Sequence, residues 1–206
     1  MVRERAEKTN QEKGELMRRR IMAVAVPMIA QQGGRGISLA KVAAVAGISK
    51  TGLLHHFGTK DALLHAALDV RDEEDGYPEI WSAEIGIGFL DVIVAYIENW
   101  VTRPDTLGMF SMLLAENKRT GDPLHDRLVK HADDVRNLIV ATVEVAKRDG
   151  QIDSSVDSKV TAIEVFIFLN GIESYFQLDA TLPLSTIANH WRESCLHAWR
   201  PRGEEA

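Results

Sequence analysis

Cysteine is almost absent from the sequence. The single copy, Cys195, excludes an internal disulfide bond and any metal site built from several cysteines. Long apolar runs are also missing: the longest one near the start, residues 21–30, is far shorter than the roughly 20 residues that a membrane-spanning helix needs. The first 20 residues are too polar for a secretory signal peptide. We therefore expect a cytoplasmic protein without a membrane segment.

Motifs of catalytic and metal sites are missing as well. The sequence has no G-x-S-x-G, no phosphate-binding glycine-rich loop and no H-E-x-x-H. His55 and His56 are adjacent and point to different faces of a helix, whereas His125 and His131 are six residues apart and share a face poorly. These absences predict a protein that is not an enzyme and has no catalytic residues, no metal site and no cofactor.

Helical periodicity extends through nearly the whole chain, and no stretch alternates between apolar and polar residues as a strand would. Residues 1–14 are polar, and we expect them to form a mobile arm. A helix is predicted over residues 15–32, with a kink or weakened turn at Pro27 and an end at Gly33-Gly34. Further helices are predicted over residues 39–46, 50–57, from Lys60, and over 85–102, 105–120, 124–149, 158–179 and 184–199. The expected fold class is all-α, with about nine helices.

The charge is divided unevenly along the chain. The net charge is −6, which by itself argues against a nucleic-acid partner. Residues 1–60, however, hold 11 Lys/Arg and 4 Asp/Glu, a net of +7, and residues 61–206 hold 13 Lys/Arg and 26 Asp/Glu, a net of −13. This asymmetry indicates a basic module that meets a polyanion and an acidic module with another role, although a basic tail on an ordinary domain would give the same numbers.

The basic module contains two short helical segments around a tight corner at Gly47-Ile48-Ser49. The corner needs a residue that tolerates a positive φ, and Gly47 supplies it. A buried seam between the two helices is predicted from Val42, Ala46, Ile48, Leu53 and Phe57. This is the pattern of a helix-turn-helix, which presents its second helix to the major groove of DNA. A generic helical hairpin would share the apolar spacing.

The stretch SLAKVAAVAGISKTGLLHHFGTKDALL, residues 38–64, resembles the DNA-binding domain of TetR-type transcriptional regulators, as do residues 20–25. The resemblance implies an N-terminal three-helix helix-turn-helix domain over residues 15–66 and a larger helical effector-binding and dimerisation domain over residues 67–206. Two positions depart from the family pattern. Leu54 stands where many members have a phosphate-contacting tyrosine, and Pro27 is unusual in the first helix.

Residues at the start of the second short helix are the expected base contacts, because the N-terminal part of a recognition helix points at base edges. These are Lys50, Thr51, Gly52 and His55. Lys50 suits guanine O6 and N7, the Thr51 methyl suits a thymine methyl, and Gly52 permits a close backbone approach.

Residues near helix N-termini are the expected phosphate contacts, because those termini carry a partial positive charge. They are Ser38, Ser49, His56 and Lys60. Ser38 and Ser49 would alternatively serve only as helix caps, and His56 as a packing residue. The tract Arg18–Arg20 adds general attraction for DNA or is simply a solvated face.

The acidic module is expected to dimerise, since a two-turn recognition helix makes too few contacts for selective binding alone. The segment 162–178 is apolar on more than one face and so needs cover on two sides. The predicted interface residues are Phe166, Gly171, Ile187 and Trp191. The family resemblance likewise implies that the last two helices pair between subunits. The alternative is an ordinary buried helix in a monomer.

The resemblance also implies a small-molecule pocket among the middle helices. Its candidate residues are aromatic: Tyr96, Trp100, Phe110, Phe168 and Tyr175. Aromatic residues at helical spacing are more often core. Taken together, the sequence predicts a homodimeric regulator that binds a palindromic operator in double-stranded DNA. Its expected role is that of a repressor released by a small hydrophobic effector. The alternatives are an all-helical interaction or scaffold protein without operator specificity and, less favoured, an enzyme.

Overall fold

A computed structural model describes residues 2–74, 82–102 and 106–201, with side chains from residue 11 onward. These residues contain nine α-helices and no strand, as the predicted all-α fold class requires. The chain divides into two compact units. The first comprises Met1–Glu73 with Gly108–His125, and the second comprises Glu74–Leu107 with Asp126–Ala206.

The first unit contains five helices. They are α1 (Val2–Gly36), α2 (Leu39–Val45), α3 (Lys50–Phe57), α4 (Lys60–Glu74) and α6 (Met109–Glu116). The predicted domain boundary at residue 66 places α6 with the effector domain, whereas α6 packs along α1 in the structure. The reason is apolar burial, because Met109, Phe110 and Leu113 are all buried. The helix predicted over residues 105–120 extends only over Met109–Glu116 in the structure.

Helix α1 differs from the predicted first helix in where it begins and where its backbone leaves the helical conformation. Residues 2–14, predicted as a mobile arm, are helical, which agrees with the strong helix propensity of the Arg, Glu, Lys, Gln and Ala residues that dominate them. The break in α1 occurs at Gly33, whose φ of 73° and ψ of 168° are non-helical, and not at Pro27, which lies inside the helix. The predicted stop at Gly33-Gly34 therefore coincides with the observed break.

The corner between α2 and α3 has the predicted geometry. Gly47 has a φ of 73°, and the Ile48 amide donates to the Ala43 carbonyl over 2.9 Å, which folds the chain back after α2. The seam residues Val42, Ala46, Leu53 and Phe57 are buried, and Ile48 is half-buried. Burial of these side chains fixes α3 against the rest of the unit, so that its other face points outward.

The second unit contains the remaining four helices. They are α5 (Phe89–Glu98), α7 (His125–Arg148), α8 (Ser158–Leu178) and α9 (Leu184–Ala198). Helix α5 packs against α9, and Phe89 is stacked on Trp199 with ring centroids 6.2 Å apart. Arg192 Nε donates to Asp91 Oδ1 over 2.6 Å and ties the same two helices together at the surface.

Core packing explains the most apolar stretch of the chain. Ala83–Thr102 is long and apolar enough to cross a membrane by length and composition. In the structure it is α5 between two short 3₁₀ turns, Ala83–Gly88 and Asn99–Thr102, and so differs from the single helix predicted over residues 85–102. Phe89, Ile93 and Ile97 are buried in the core of the second unit. The stretch therefore has the character of a core helix.

Candidate nucleic-acid interface

The outward face of α3 carries polar side chains. Lys50, Thr51 and His55 are exposed, whereas Leu53 and Phe57 on the opposite face are buried. The segment that contains this helix is rich in positive charge: residues 16–60 contain seven Lys/Arg and no Asp or Glu, and the next acidic residue is Asp61, in the first turn of α4. The predicted base-contact residues thus share one exposed surface in a cationic environment, which is the surface that attracts a polyanion.

Serine side chains cap the N-termini of α2 and α3. Ser49 Oγ accepts a hydrogen bond from the Gly52 amide at 3.0 Å, and Ser38 Oγ accepts one from the Lys41 amide at 3.5 Å. A hydroxyl that accepts in this way can still donate its own hydrogen. Capping and phosphate contact are therefore compatible roles for both serines.

Gly52 lies in the first turn of α3, beside the Ser49 cap. A Cβ at this position would lie 3.3 Å from Ser49 Oγ, which is tight, so a side chain here would press on the cap. His56, near the other end of α3, is half-buried, and its ring is in edge-to-face contact with the His55 ring, with centroids 5.7 Å apart.

The C-terminal end of α3 is held by α1. The guanidinium of Arg18 donates from Nη1 to the His56 carbonyl and lies over the Phe57 ring, 4.3 Å from its centroid. The Gly58 amide donates to the Leu54 carbonyl over 2.7 Å, and Gly58 has a φ of 73°. Sequence patterning alone did not assign this role to Arg18.

Lys60 is engaged within the protein. Its ammonium Nζ donates to the Arg35 carbonyl at 3.0 Å, at the junction between α1 and α2. An ammonium has three donors, so this bond leaves Lys60 able to contact a phosphate.

The α1–α2 junction is also fastened to α6. The Glu116 carboxylate accepts from the Arg35 amide at 3.1 and 3.3 Å, and Arg35 Nη2 donates to the Glu116 carbonyl at 2.5 Å. Gly34 allows this approach, because a Cβ there would lie 2.9 Å from Leu113 Cδ2 and 3.1 Å from Glu116 Oε2. In the sequence, the Gly33-Gly34 pair predicted the end of a helix but gave no indication of the close contact with α6.

The five predicted pocket residues lie in different environments. Phe110 belongs to the first unit, buried beneath the Arg71 guanidinium at 4.8 Å. The other four belong to the second unit: Trp100 is buried in edge-to-face contact with Tyr96, Phe168 is half-buried, and Tyr175 is 57% exposed. At least Trp100 therefore contributes to the core, which was the alternative for such residues.

The second unit has a surface groove at a place other than the predicted pocket. Its volume is about 470 Å³, and it is lined by Glu98, Val101, Phe176, Ala180 and residues 182–186 at the connection between α8 and α9. None of the five predicted pocket residues lines it.

Helix α8 exposes an apolar stripe. The stripe is formed by large side chains that are between 49% and 80% exposed, and its members are Val160, Ile163, Ile167, Tyr175 and Leu178. Their spacing places them along one side of the helix together with the exposed Gly171, a predicted interface residue. The other three predicted interface residues are half-buried in their own chain: Phe166 beneath Arg136, Trp191 stacked on Phe168 at 4.3 Å, and Ile187 against the core.

Two family models match the chain, one in its N-terminal part and one in its C-terminal part. The model for bacterial regulatory proteins of the tetR family matches residues 21–67, and the model for the tetracyclin repressor-like C-terminal domain matches residues 88–190. The chain belongs to the TetR family of transcriptional regulators. The resemblance noted from residues 20–64 is confirmed, and members of this family are DNA-binding transcription factors and not enzymes.

Solved TetR-family structures share the fold over most of the chain. A regulator from Agrobacterium tumefaciens is 16% identical, with a TM-score of 0.73 over 91% of this chain and 99% of its own. A regulator from Chloroflexus aurantiacus J-10-FL is 26% identical, with a TM-score of 0.71 over 90% of this chain and 95% of its own. AibR, solved with isovaleryl coenzyme A and operator DNA, is 21% identical, with a TM-score of 0.66 over 86% and 97%. No curated protein sequence matches the chain.

Proposed function

We propose that this TetR-family regulator is a cytoplasmic homodimeric repressor that binds a palindromic operator and leaves it when a small hydrophobic effector binds. The observation that supports this most is the exposed polar face of α3, held between capped ends within a stretch that has no acidic residue. Such a surface is suited to the major groove, where base edges and phosphates lie within reach of one helix.

Base reading is assigned to the side chains at the start and middle of α3. Lys50 donates to guanine O6 and N7, the Thr51 methyl contacts a thymine methyl, and His55 reads one turn further along. Gly52 has no side chain and so permits a close approach of the α3 backbone. All four lie on the exposed or half-exposed part of the helix.

Phosphate binding is assigned to residues at the edges of this surface. Ser38 and Ser49 lie at the N-termini of α2 and α3, whose partial positive charge favours an anion. His56 and Lys60 lie beyond the C-terminal end of the reading face. These contacts position the protein without distinguishing sequences.

A second copy of the chain is the proposed cover for the α8 stripe, and a symmetric pairing would place two α3 helices on two half-sites. The stripe exposes more apolar side chain than isolated surface residues do, and Gly171 within it allows close helix approach. Asn170 at its edge supports this, because its Oδ1 is the buried side-chain acceptor without a donor in the described part of the chain.

The effector site is proposed within the second unit, among Tyr96, Trp100 and Phe168; Phe110 belongs to the first unit and Tyr175 to the α8 stripe, so neither is assigned to it. AibR, which shares the fold, has been solved with an acyl coenzyme A, and this supports a ligand with a hydrophobic part. An effector acts by binding the form that cannot hold DNA better than the form that can, and it shifts the equilibrium only by that difference in affinity.

Salt-dependent DNA binding tests the proposal. We expect fluorescence anisotropy with a labelled random duplex to show an affinity that falls with salt, with a log–log slope of about −0.9 for each phosphate neutralised. Affinity that does not change with salt, or no binding in dilute buffer, would contradict a DNA-binding role.

A further inference from the structure

Arg18 and Arg19 are neighbours in a tract of three arginines, but their side chains leave α1 in different directions and only Arg18 contacts α3. Arg18 has an exposed side chain, but it lies three, seven and eleven residues before Ile21, Ala25 and Ile29, all fully buried, and so stands above the face of α1 that packs on the unit. Arg19 is rotated away from that face. Both side chains are exposed, but Arg19, unlike Arg18, makes no hydrogen bond or ion pair within the described ranges.

The end of α3 needs partners for its last carbonyls, because these have no donor within the helix. The Leu54 carbonyl accepts from Gly58, and the Phe57 carbonyl accepts from Thr59 at 2.8 Å. The His56 carbonyl accepts from Arg18, whose cation also lies at the negative end of the helix dipole and over the Phe57 ring. An eight-residue helix has little stability of its own, so its direction depends both on its buried seam and on such contacts at its end.

We propose that Arg18 is a positioning residue for the recognition helix: it sets the direction in which α3 enters the groove and thereby contributes to sequence discrimination. Arg19, by contrast, contributes only general attraction for DNA. A small change in the direction of α3 displaces Lys50 and His55 relative to the base edges, which direct readout does not tolerate. Contacts to the uniform phosphate backbone tolerate the same change.

The test compares Arg18→Ala with Arg19→Ala, which remove the same charge one residue apart. Affinity is measured for a duplex that the wild-type protein selects from random sequence and for a shuffled duplex of equal length and composition. We expect Arg18→Ala to lower the ratio of the two affinities about tenfold, with Arg19→Ala leaving the ratio within twofold of wild type and lowering both affinities together. Arg18→Lys keeps the charge but lacks the planar guanidinium, and it should restore non-specific affinity without fully restoring the ratio.

A second measurement needs no DNA. Hydrogen exchange of the Gly58 amide in the free protein should be about tenfold faster in Arg18→Ala than in Arg19→Ala, because the α3 end loses its tie to α1. The proposal rests on the proposed function, and the two fail differently. A wild-type protein that selects no preferred duplex refutes operator binding, whereas unchanged Gly58 exchange refutes the positioning role. An equal loss of the affinity ratio in Arg18→Ala and Arg19→Ala would also refute the positioning role of Arg18.

Discussion

Replacement of Ile167 by aspartate should separate the proposed dimer. Ile167 is 63% exposed in the single chain and lies in the middle of the α8 stripe. Complete burial of such a side chain contributes about 1.5–3 kcal/mol, so the exposed part is worth roughly 1–2 kcal/mol in each protomer and about 2–4 kcal/mol in the symmetric dimer. Burying an unpaired carboxylate adds several kcal/mol more. Dimer affinity should therefore fall by at least about a thousandfold.

The assay is sedimentation equilibrium over a wide range of protein concentration. Val129→Asp is the matched control, because Val129 is a 45% exposed valine on α7, outside the α8 stripe. We expect the control to remain dimeric under conditions in which Ile167→Asp is monomeric, and both to keep their helical circular dichroism. An Ile167→Asp protein that is as dimeric as the control would refute the α8 interface.

Other predictions concern the reading face, the α1 break and the thiol. Lys50→Ala should cost about 1–3 kcal/mol and relax specificity at one base, whereas Lys60→Ala should weaken binding to all duplexes alike and reduce the salt slope by about one, both read by anisotropy titration. Gly33→Ala should destabilise the protein by at least about 2 kcal/mol in urea unfolding, because Gly33 has a positive φ and a Cβ would overlap Glu116. The helical control Gly14→Ala should stabilise it by up to about 1 kcal/mol. Burial raises the pKa of Cys195 to about 12, so its reaction with a disulfide reagent at pH 8 should be at least about a hundredfold slower in the native than in the unfolded protein, and equal rates would contradict this.

The helix-turn-helix was predictable because the signals that build it are local. A glycine at a corner that needs a positive φ, serines before two helices, and apolar residues at helical spacing all lie within residues 38–57. Each signal favours the same structure, and no distant contact is needed to choose between alternatives.

Contacts between distant residues were not predictable in the same way. The Arg18 contact with the end of α3 joins residues 38 positions apart, and the Arg35–Glu116 contacts join residues 81 positions apart. The sequence shows that these side chains are charged but not which partner they meet. Likewise, helical spacing marks α8 as apolar on several faces, but only the packing of its own unit shows that Ile167 remains exposed and Phe166 is half-buried.

Selection of bound fragments from random duplex DNA tests the central claim most directly, because the claim is that two copies of α3 read two half-sites. We expect a palindromic consensus whose half-site centres lie about one helical turn, 34–36 Å, or a multiple of it apart. A consensus without two-fold symmetry, or no enrichment of any sequence, would contradict that claim.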